Sequence, residues 1–325
     1  MTALHVAIVT DAAYAPWCAT TMASCAEATA DASTSFHVLH APDLGVDDRD
    51  RLRDVAETRG AEVAFHPLDE VHLATLPSKG PDLGGRVSWA RIALADALPG
   101  LERVVYLDAD TLVTGSLAPL GVIDIQDAPV AAVRNVTEPE MQPRLHELGV
   151  APKDYFNAGV LVVNLQQWRK EDASQALVEH VQRHRDLVWF DQDALNSLFA
   201  GRWLSLSPRW NAMNSLWSWP DLAAEVFGED ELRSATTNPA VLHFEGPGLA
   251  KPWHFLCEHP WRQQYQSVLA RTPWAGTPPL DRTTATRLIA RLPRRYRVEV
   301  FARLARARMW RNRVRSRLHL TTGTE

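Results

Sequence analysis

Short apolar runs rich in valine alternate with helical patterns through the first half of the chain. No other feature constrains the fold as strongly. HVAIVT (5–10), FHVLH (36–40), EVAFHPL (62–68), RVVYLD (103–108) and PVAAVR (129–134) read as buried strands. Helical patterns fall between them at about 15–29, 48–59 and 86–98. Such a series predicts an α/β fold, a mostly parallel sheet with helices on both faces. Ligands of these sheets sit beyond the carboxyl ends of the strands. Asp11 follows the first strand at that end, and Asp108 and Asp110 follow a later one. Two strand termini therefore present carboxylates on one rim.

The second half is less regular. FNAGVLVVNLQQW (156–168) continues into a buried strand, and a helix follows at about 171–185. FDQDALNSLFAG (190–201) carries Leu195, Leu198 and Phe199 at helical spacing, with Asp191 as N-cap of 192–200 and Gly201 as stop. SPRWNAMNSLWSWP (207–220) reads as a loop, and VLHFEGPGLAKPWH (241–254) as a short strand entering a Gly/Pro loop. Seven of the twelve tryptophans lie between 189 and 261, which suits a sugar-stacking pocket or a packed core equally.

Net charge is −5 over 325 residues, so the molecule as a whole has no bias toward nucleic acid. The average hides an asymmetry: residues 282–317 hold thirteen arginines and one acidic residue, Glu299. The three cysteines, Cys18, Cys25 and Cys257, read as reduced thiols in a cytosol and not as a disulfide scaffold. The amino terminus enters a strand at once and lacks the pattern of a signal peptide. No apolar window is long enough to span a bilayer.

Asp108-Ala109-Asp110 at a strand end has three readings: solvated turn residues, a helix cap, or hard oxygen ligands for Mg²⁺ or Mn²⁺ beneath a phosphorylated substrate. The apolar run directly before the pair favours a cation, since burial penalises an unpaired carboxylate. Arg91 has its own argument. Val87, Leu94 and Leu98 share one stripe of the 86–98 helix, and Arg91 falls on it too. An arginine there must find an anionic partner or snorkel outward. HFLCEH (254–259) offers too few ligands at the usual spacing for zinc.

RVVYLDADTLVTGSL, YFNAGVLVVNLQQW, FDQDALN and HFEGPGLAKPWH occur in that order. Together they resemble the retaining glycosyltransferases of family 8, over about residues 4–262. The resemblance implies a GT-A fold (Rossmann-like), a nucleotide-sugar donor, usually a UDP-sugar, and Mn²⁺ or Mg²⁺ under the diphosphate. It implies a metal-dependent enzyme that moves a hexose, galactose or glucose, to a glycan or lipid-linked acceptor. By position, Asp108, Asp110 and His243 become the metal ligands, and a histidine nitrogen shifts preference toward Mn²⁺. Lys251 and Gly246 would meet the diphosphate, the lysine through its charge and the glycine by letting backbone approach. Asp11 would accept from the base and Tyr14 would stack near it. Arg91 would bridge donor hydroxyls and the carboxylates. Asn157, Asp191 and Gln192 would line the donor sugar, Gln192 offering its carbonyl oxygen toward the anomeric carbon. Where relatives often have Asp after the run matching PVAAV, this chain has Arg134 and Asn135, so the transferred sugar stays open.

The expected organisation is a catalytic domain over 1–265 and a linker with an arginine-rich helical tail over 266–325. In the tail, Val298, Phe301, Ala305 and Met309 share a helical face among the arginines. A basic amphipathic helix of this kind suits an anionic membrane surface. The expected location is cytoplasmic, peripheral at the inner face of the membrane. A nucleotide-sugar hydrolase and a non-catalytic nucleotide-sugar or glycan-binding module are the rival readings.

Overall fold

The computed structural model describes residues 3–69, 87–184, 190–246, 248–293 and 296–297. A seven-stranded sheet is ordered β3-β2-β1-β4-β7-β6-β8. Its strands are β1 (Leu4–Thr10), β2 (Thr34–His40), β3 (Glu62–Pro67), β4 (Arg103–Leu107), β6 (Val130–Arg134), β7 (Phe156–Asn164) and β8 (Leu204–Ser205). β7 is antiparallel to both neighbours, and the remaining pairs are parallel. A smaller sheet, β5-β10-β9, is built from β5 (Thr111–Val113), β9 (Ala212–Met213) and β10 (Val241–His243).

Both faces of the large sheet are buried, as continuous apolar strands require. Val6 and Ile8 of β1 face the core formed with Trp17, Met22 and Tyr265. Ala7 and Val9 face the opposite core with Trp89, Trp168 and Phe199. The period of two in a strand divides these residues between the faces. Helix Ala15–Ala28 lies in the first core, and helix Arg262–Leu269 packs Tyr265, Val268 and Leu269 beside it.

Several expectations need correction. The 86–98 helix is a 3₁₀ segment, Val87–Ala93, followed by one short α-turn, Leu94–Ala97. Trp89, Ala90, Ile92, Leu94 and Ala95 are all buried along with Arg91, and Asp96 is the one exposed residue of the stretch 87–97. Packing against β1 and two helices on different sides, and not a single apolar stripe, sets its winding. The helix expected at about 171–185 is present as Ala173–Arg183, but a further helix, Leu165–Glu171, precedes it, the two divided at Asp172 by a left-handed φ of 51°. The 207–220 loop contains β9 and the short helix Ser215–Ser218. Trp203, Trp210, Trp217, Trp253 and Trp261 pack on the cores, Trp253 stacking on Trp17 at 4.5 Å. Trp219, 45% exposed, is the exception among the described tryptophans. The apolar face expected over Val298, Phe301, Ala305 and Met309 lies outside the described residues.

One face of β1, β2 and β3 carries an imidazole row. His5 Nδ1 lies 3.1 Å from His37 Nε2, and His37 Nδ1 lies 3.2 Å from His66 Nε2. Burial lowers all three rings, with its neighbours' charge adding at His37, which falls to about 4; Glu62 opposes the shift at His5, and His40 adds to it at His66. Above the ordinary value of 6.5 the rings are neutral in both folded and unfolded chains. As pH falls from there toward 4, the unfolded chain takes up protons that the native row refuses, so stability declines across that window. A thermal-denaturation series should show this fall, and His37→Gln should flatten it. An unchanged pH profile in the variant would exclude the row as its source.

Candidate active site

Asp108 and Asp110 leave the carboxyl end of β4, and Thr111 begins β5 at once. Four donors fix this turn. The Asp108 amide donates to the Gly159 carbonyl at 2.8 Å. The Tyr106 hydroxyl and Arg91 Nη2 both donate to Asp108 Oδ1, at 2.7 and 2.8 Å. Lys251 pairs closely with Asp110 Oδ2.

His243 comes from β10, which pairs antiparallel with β5, so the short sheet carries the ring back over the carboxylates. His243 Nε2 lies 3.6 Å from Asp108 Oδ2 and 3.3 Å from Asp110 Oδ1. One ligand atom from each of the three residues falls within 4.8 Å of the others, and no other such group exists among the described residues. Neighbouring ligands of an ion bound at about 2.1 Å stand roughly 3 Å apart, so these spacings approach those of a coordination shell. Asp110 Oδ1 is buried without a hydrogen-bond partner, an orphaned oxygen facing the same space. The residues therefore fit a divalent cation.

The charge balance agrees. Among the described residues, Asp108, Asp110 and Asp191 pair with two permanent cations, Arg91 and Lys251. Burial alone would push Asp110 up, but Lys251 and His243 outweigh it and hold the carboxyl well below the usual range. Burial pushes Asp191 up to about 6 despite Arg91, with Asp108 adding to the rise. Burial would lower His243, yet Asp110 and Asp108 raise it.

Arg91 is the hub of this rim. Its Nη1 donates to the Ala158 carbonyl at 2.5 Å, its Nε pairs with Asp191, and its guanidinium lies 4.7 Å over the Tyr106 ring. The expected anionic partners are present. Asp191 does not cap its helix: the helix runs Phe190–Phe199 and Asp191 sits in its first turn. Gln192 is pinned at both ends of its amide. Oε1 accepts from the Ala158 amide at 3.0 Å, and Nε2 donates to the Tyr155 hydroxyl at 3.1 Å. Tyr155 in turn donates to Asp193, which also receives Arg144 at 3.0 Å. Asp191→Ala should lower kcat by orders of magnitude, since Arg91 would lose one of two carboxylates that aim it. Gln192→Ala should cost less, because its amide serves mainly as a brace. Equal, mild losses would remove both from the reacting geometry.

Asp11 and Tyr14 stand at the same rim, after β1. Asp11 Oδ1 accepts from the Tyr14 amide at 2.8 Å, and the Tyr14 ring, 37% exposed, meets the edge of Trp253 at 6.2 Å. Lys251 is buried, its ammonium 5.6 Å from the Trp253 ring centre. Gly246 is exposed with φ of 82°, a left-handed conformation that glycine adopts without strain. Asn157 turns inward: Oδ1 accepts from the Gly159 amide at 2.9 Å, and Nδ2 donates to Glu245 at 3.2 Å.

Sequence reasoning passed over Gly159, Asn211, Tyr155 and Glu245. Asn211 is fully buried and lies 3.0 Å from His243 Nδ1. Gly159 sits under the same ring; a Cβ there would lie 2.1 Å from His243 Cε1. A small residue inside an otherwise large-residue strand was the one available sign of that approach.

A bulge produces much of this arrangement. Between β6 and β7 the register jumps from Ala132 opposite Leu161 to Val133 opposite Asn157. The skipped residues include Ala158 and Gly159, whose backbone groups serve Arg91, Gln192, Asp108 and Asn157 instead of β6.

The family model for glycosyl transferase family 8 matches residues 5–257. General stress protein A of Bacillus subtilis is 28% identical over 72% of this chain and 82% of its own length. Lipopolysaccharide glucosyltransferase WaaO of Escherichia coli is 28% identical over 84% of this chain and 80% of its own. The crystal structure of the galactosyltransferase LgtC, solved with donor and acceptor sugar analogs, superposes with a TM-score of 0.74. It is 27% identical and covers 83% of this chain and 96% of that one. The chain belongs to glycosyl transferase family 8 and has the GT-A fold of those enzymes.

Proposed function

We propose that this hexosyltransferase takes galactose or glucose from a UDP-sugar, with retention of anomeric configuration, and delivers it to a glycan or lipid-linked acceptor. The observation that carries the reading is the convergence of Asp108, Asp110 and His243 beside an unpartnered, buried Asp110 oxygen. The relatives' substrates point the same way: lipopolysaccharide for WaaO, donor and acceptor sugars for LgtC. Asp108, Asp110 and His243 would hold Mn²⁺ in preference to Mg²⁺, since one ligand is an imidazole. Bound there, the cation supplies electrostatic stabilisation to the diphosphate as it departs.

The chain's own groups do the rest. Lys251 adds a positive charge on the diphosphate side, and Gly246 lets backbone come close to it. Asp11 and Tyr14 receive the base. Arg91, held by Asp108 and Asp191, orients the donor sugar, and Asp191 accepts from its hydroxyls. Gln192, braced by Ala158 and Tyr155, keeps its amide fixed at the reacting face. A donor screen with purified protein and Mn²⁺, following UDP release, tests this. Release that needs an acceptor supports transfer; release indifferent to every acceptor makes the protein a donor hydrolase; no release with any UDP-sugar sinks the reading.

The basic segment over 282–317 is proposed to hold the enzyme at an anionic membrane surface. Leu288, Leu292 and Tyr296 are exposed among arginines, which offers apolar contacts beside the charge. No helix among the described residues is long and apolar enough to cross a membrane. The full chain should co-sediment with anionic vesicles at low salt and leave them as salt rises. A chain ending near residue 280 should stay in the supernatant. Full-length protein that also stays there removes the anchor.

A further inference from the structure

We infer that Asn211 is a positioning residue for His243, fixing which ring nitrogen carries the proton through a relay that begins at the backbone of Gly159. The inference rests on the cation-site reading of Asp108, Asp110 and His243.

The direction of the relay follows from its ends. The Gly159 N–H can only donate, and it donates to Asn157 Oδ1 at 2.9 Å. That sets the Asn157 amide, whose Nδ2 then donates to the Glu245 carboxylate at 3.2 Å. Asn211 Nδ2 donates to the same Asn157 oxygen at 2.8 Å, so Asn211 Oδ1 must be the atom that faces His243 Nδ1 at 3.0 Å. An amide oxygen only accepts. Nδ1 therefore carries the proton, and the lone pair of the neutral ring falls on Nε2, which faces Asp108 and Asp110. Asn157, Asn211 and His243 are all buried, so water does not compete for these bonds.

The relay opposes a ready alternative. Asp110 Oδ1, 3.3 Å from Nε2, could equally accept a hydrogen bond from a proton on that nitrogen. A ring protonated there has no lone pair to give a cation. Asn211 tips the choice by making Nδ1–H the bonded form, as outer partners of ligating histidines do.

Two measurements on the full chain decide it. In chelator and alkaline buffer, a long-range ¹H–¹⁵N correlation of the His243 ring should show Nδ1–H, and Asn211→Leu should move the proton to Nε2. Nε2–H in the wild type overturns the relay whatever the metal does. In the second, Mn²⁺ alone is titrated and free ion is read by EPR. Asn211→Leu should bind about 10–100-fold more weakly than wild type. Asn211→Asp, which keeps an acceptor for Nδ1–H, should bind within a few-fold. Wild-type affinity in Asn211→Leu overturns the inference. So does equal weakness in both variants when each keeps the wild-type circular dichroism. Wild-type protein that shows Nδ1–H yet binds no Mn²⁺ upholds the relay and rejects the cation site.

Discussion

Gly159→Ala should abolish transfer while leaving a folded protein. The added methyl would lie 2.1 Å from His243 Cε1, 2.6 Å from Nδ1 and 2.8 Å from Nε2. The ring is held by Asn211 and is 4% exposed, so it can make room only by leaving its place. Overpacking of this kind costs about 1–3 kcal/mol of stability. The cost to activity should be larger, at least about 100-fold, since a displaced ligand is lost to the cation altogether. Gly100→Ala is the control: nothing lies within 4 Å of its added Cβ. Turnover of Gly159→Ala within a few-fold of wild type would show that His243 tolerates movement and is no ligand.

The second large effect belongs to the carboxylates. Asp108→Asn and Asp110→Asn should each remove Mn²⁺-stimulated turnover, because each deletes a negative ligand from a shared cation. They should differ in stability. Asp108 is bonded by Arg91 and Tyr106, so Asp108→Asn weakens a buried cation's pairing and should lower the melting temperature. Asp110→Asn relieves an orphaned oxygen but leaves the Lys251 ammonium without its carboxylate. Chelator should abolish wild-type turnover and change nothing further in either variant. A variant that keeps the wild-type rate in chelator would reduce the motif to a turn.

The central strands were legible because each is a valine-rich apolar run bounded by polar or turn residues. β5, β8 and β9 were not, since two or three residues have no period to read. The 3₁₀ segment was misread for a related reason: burial on every side erases the polar face that marks a surface helix. Asp108, Asp110 and His243 stood out through residue type and motif order. Asn211 did not, because a buried asparagine in an irregular stretch looks like any turn residue until its neighbours are known. Nor could the sequence show that the Gln192 oxygen is already engaged by the Ala158 amide. That contact depends on where β7 leaves its ladder with β6.

The bulge in β7 also decides how the site can be dissected. Arg91, Asp108 and Gln192 each take one of their anchors from main-chain atoms of Ala158 or Gly159. Side-chain replacement leaves those atoms in place, and an alanine scan of this rim passes over Ala158, which is alanine already. The informative perturbation is to the polymer itself. Deleting one of residues 158–160 would shorten the bulge without touching any charged group. The whole rim should then fail as a unit.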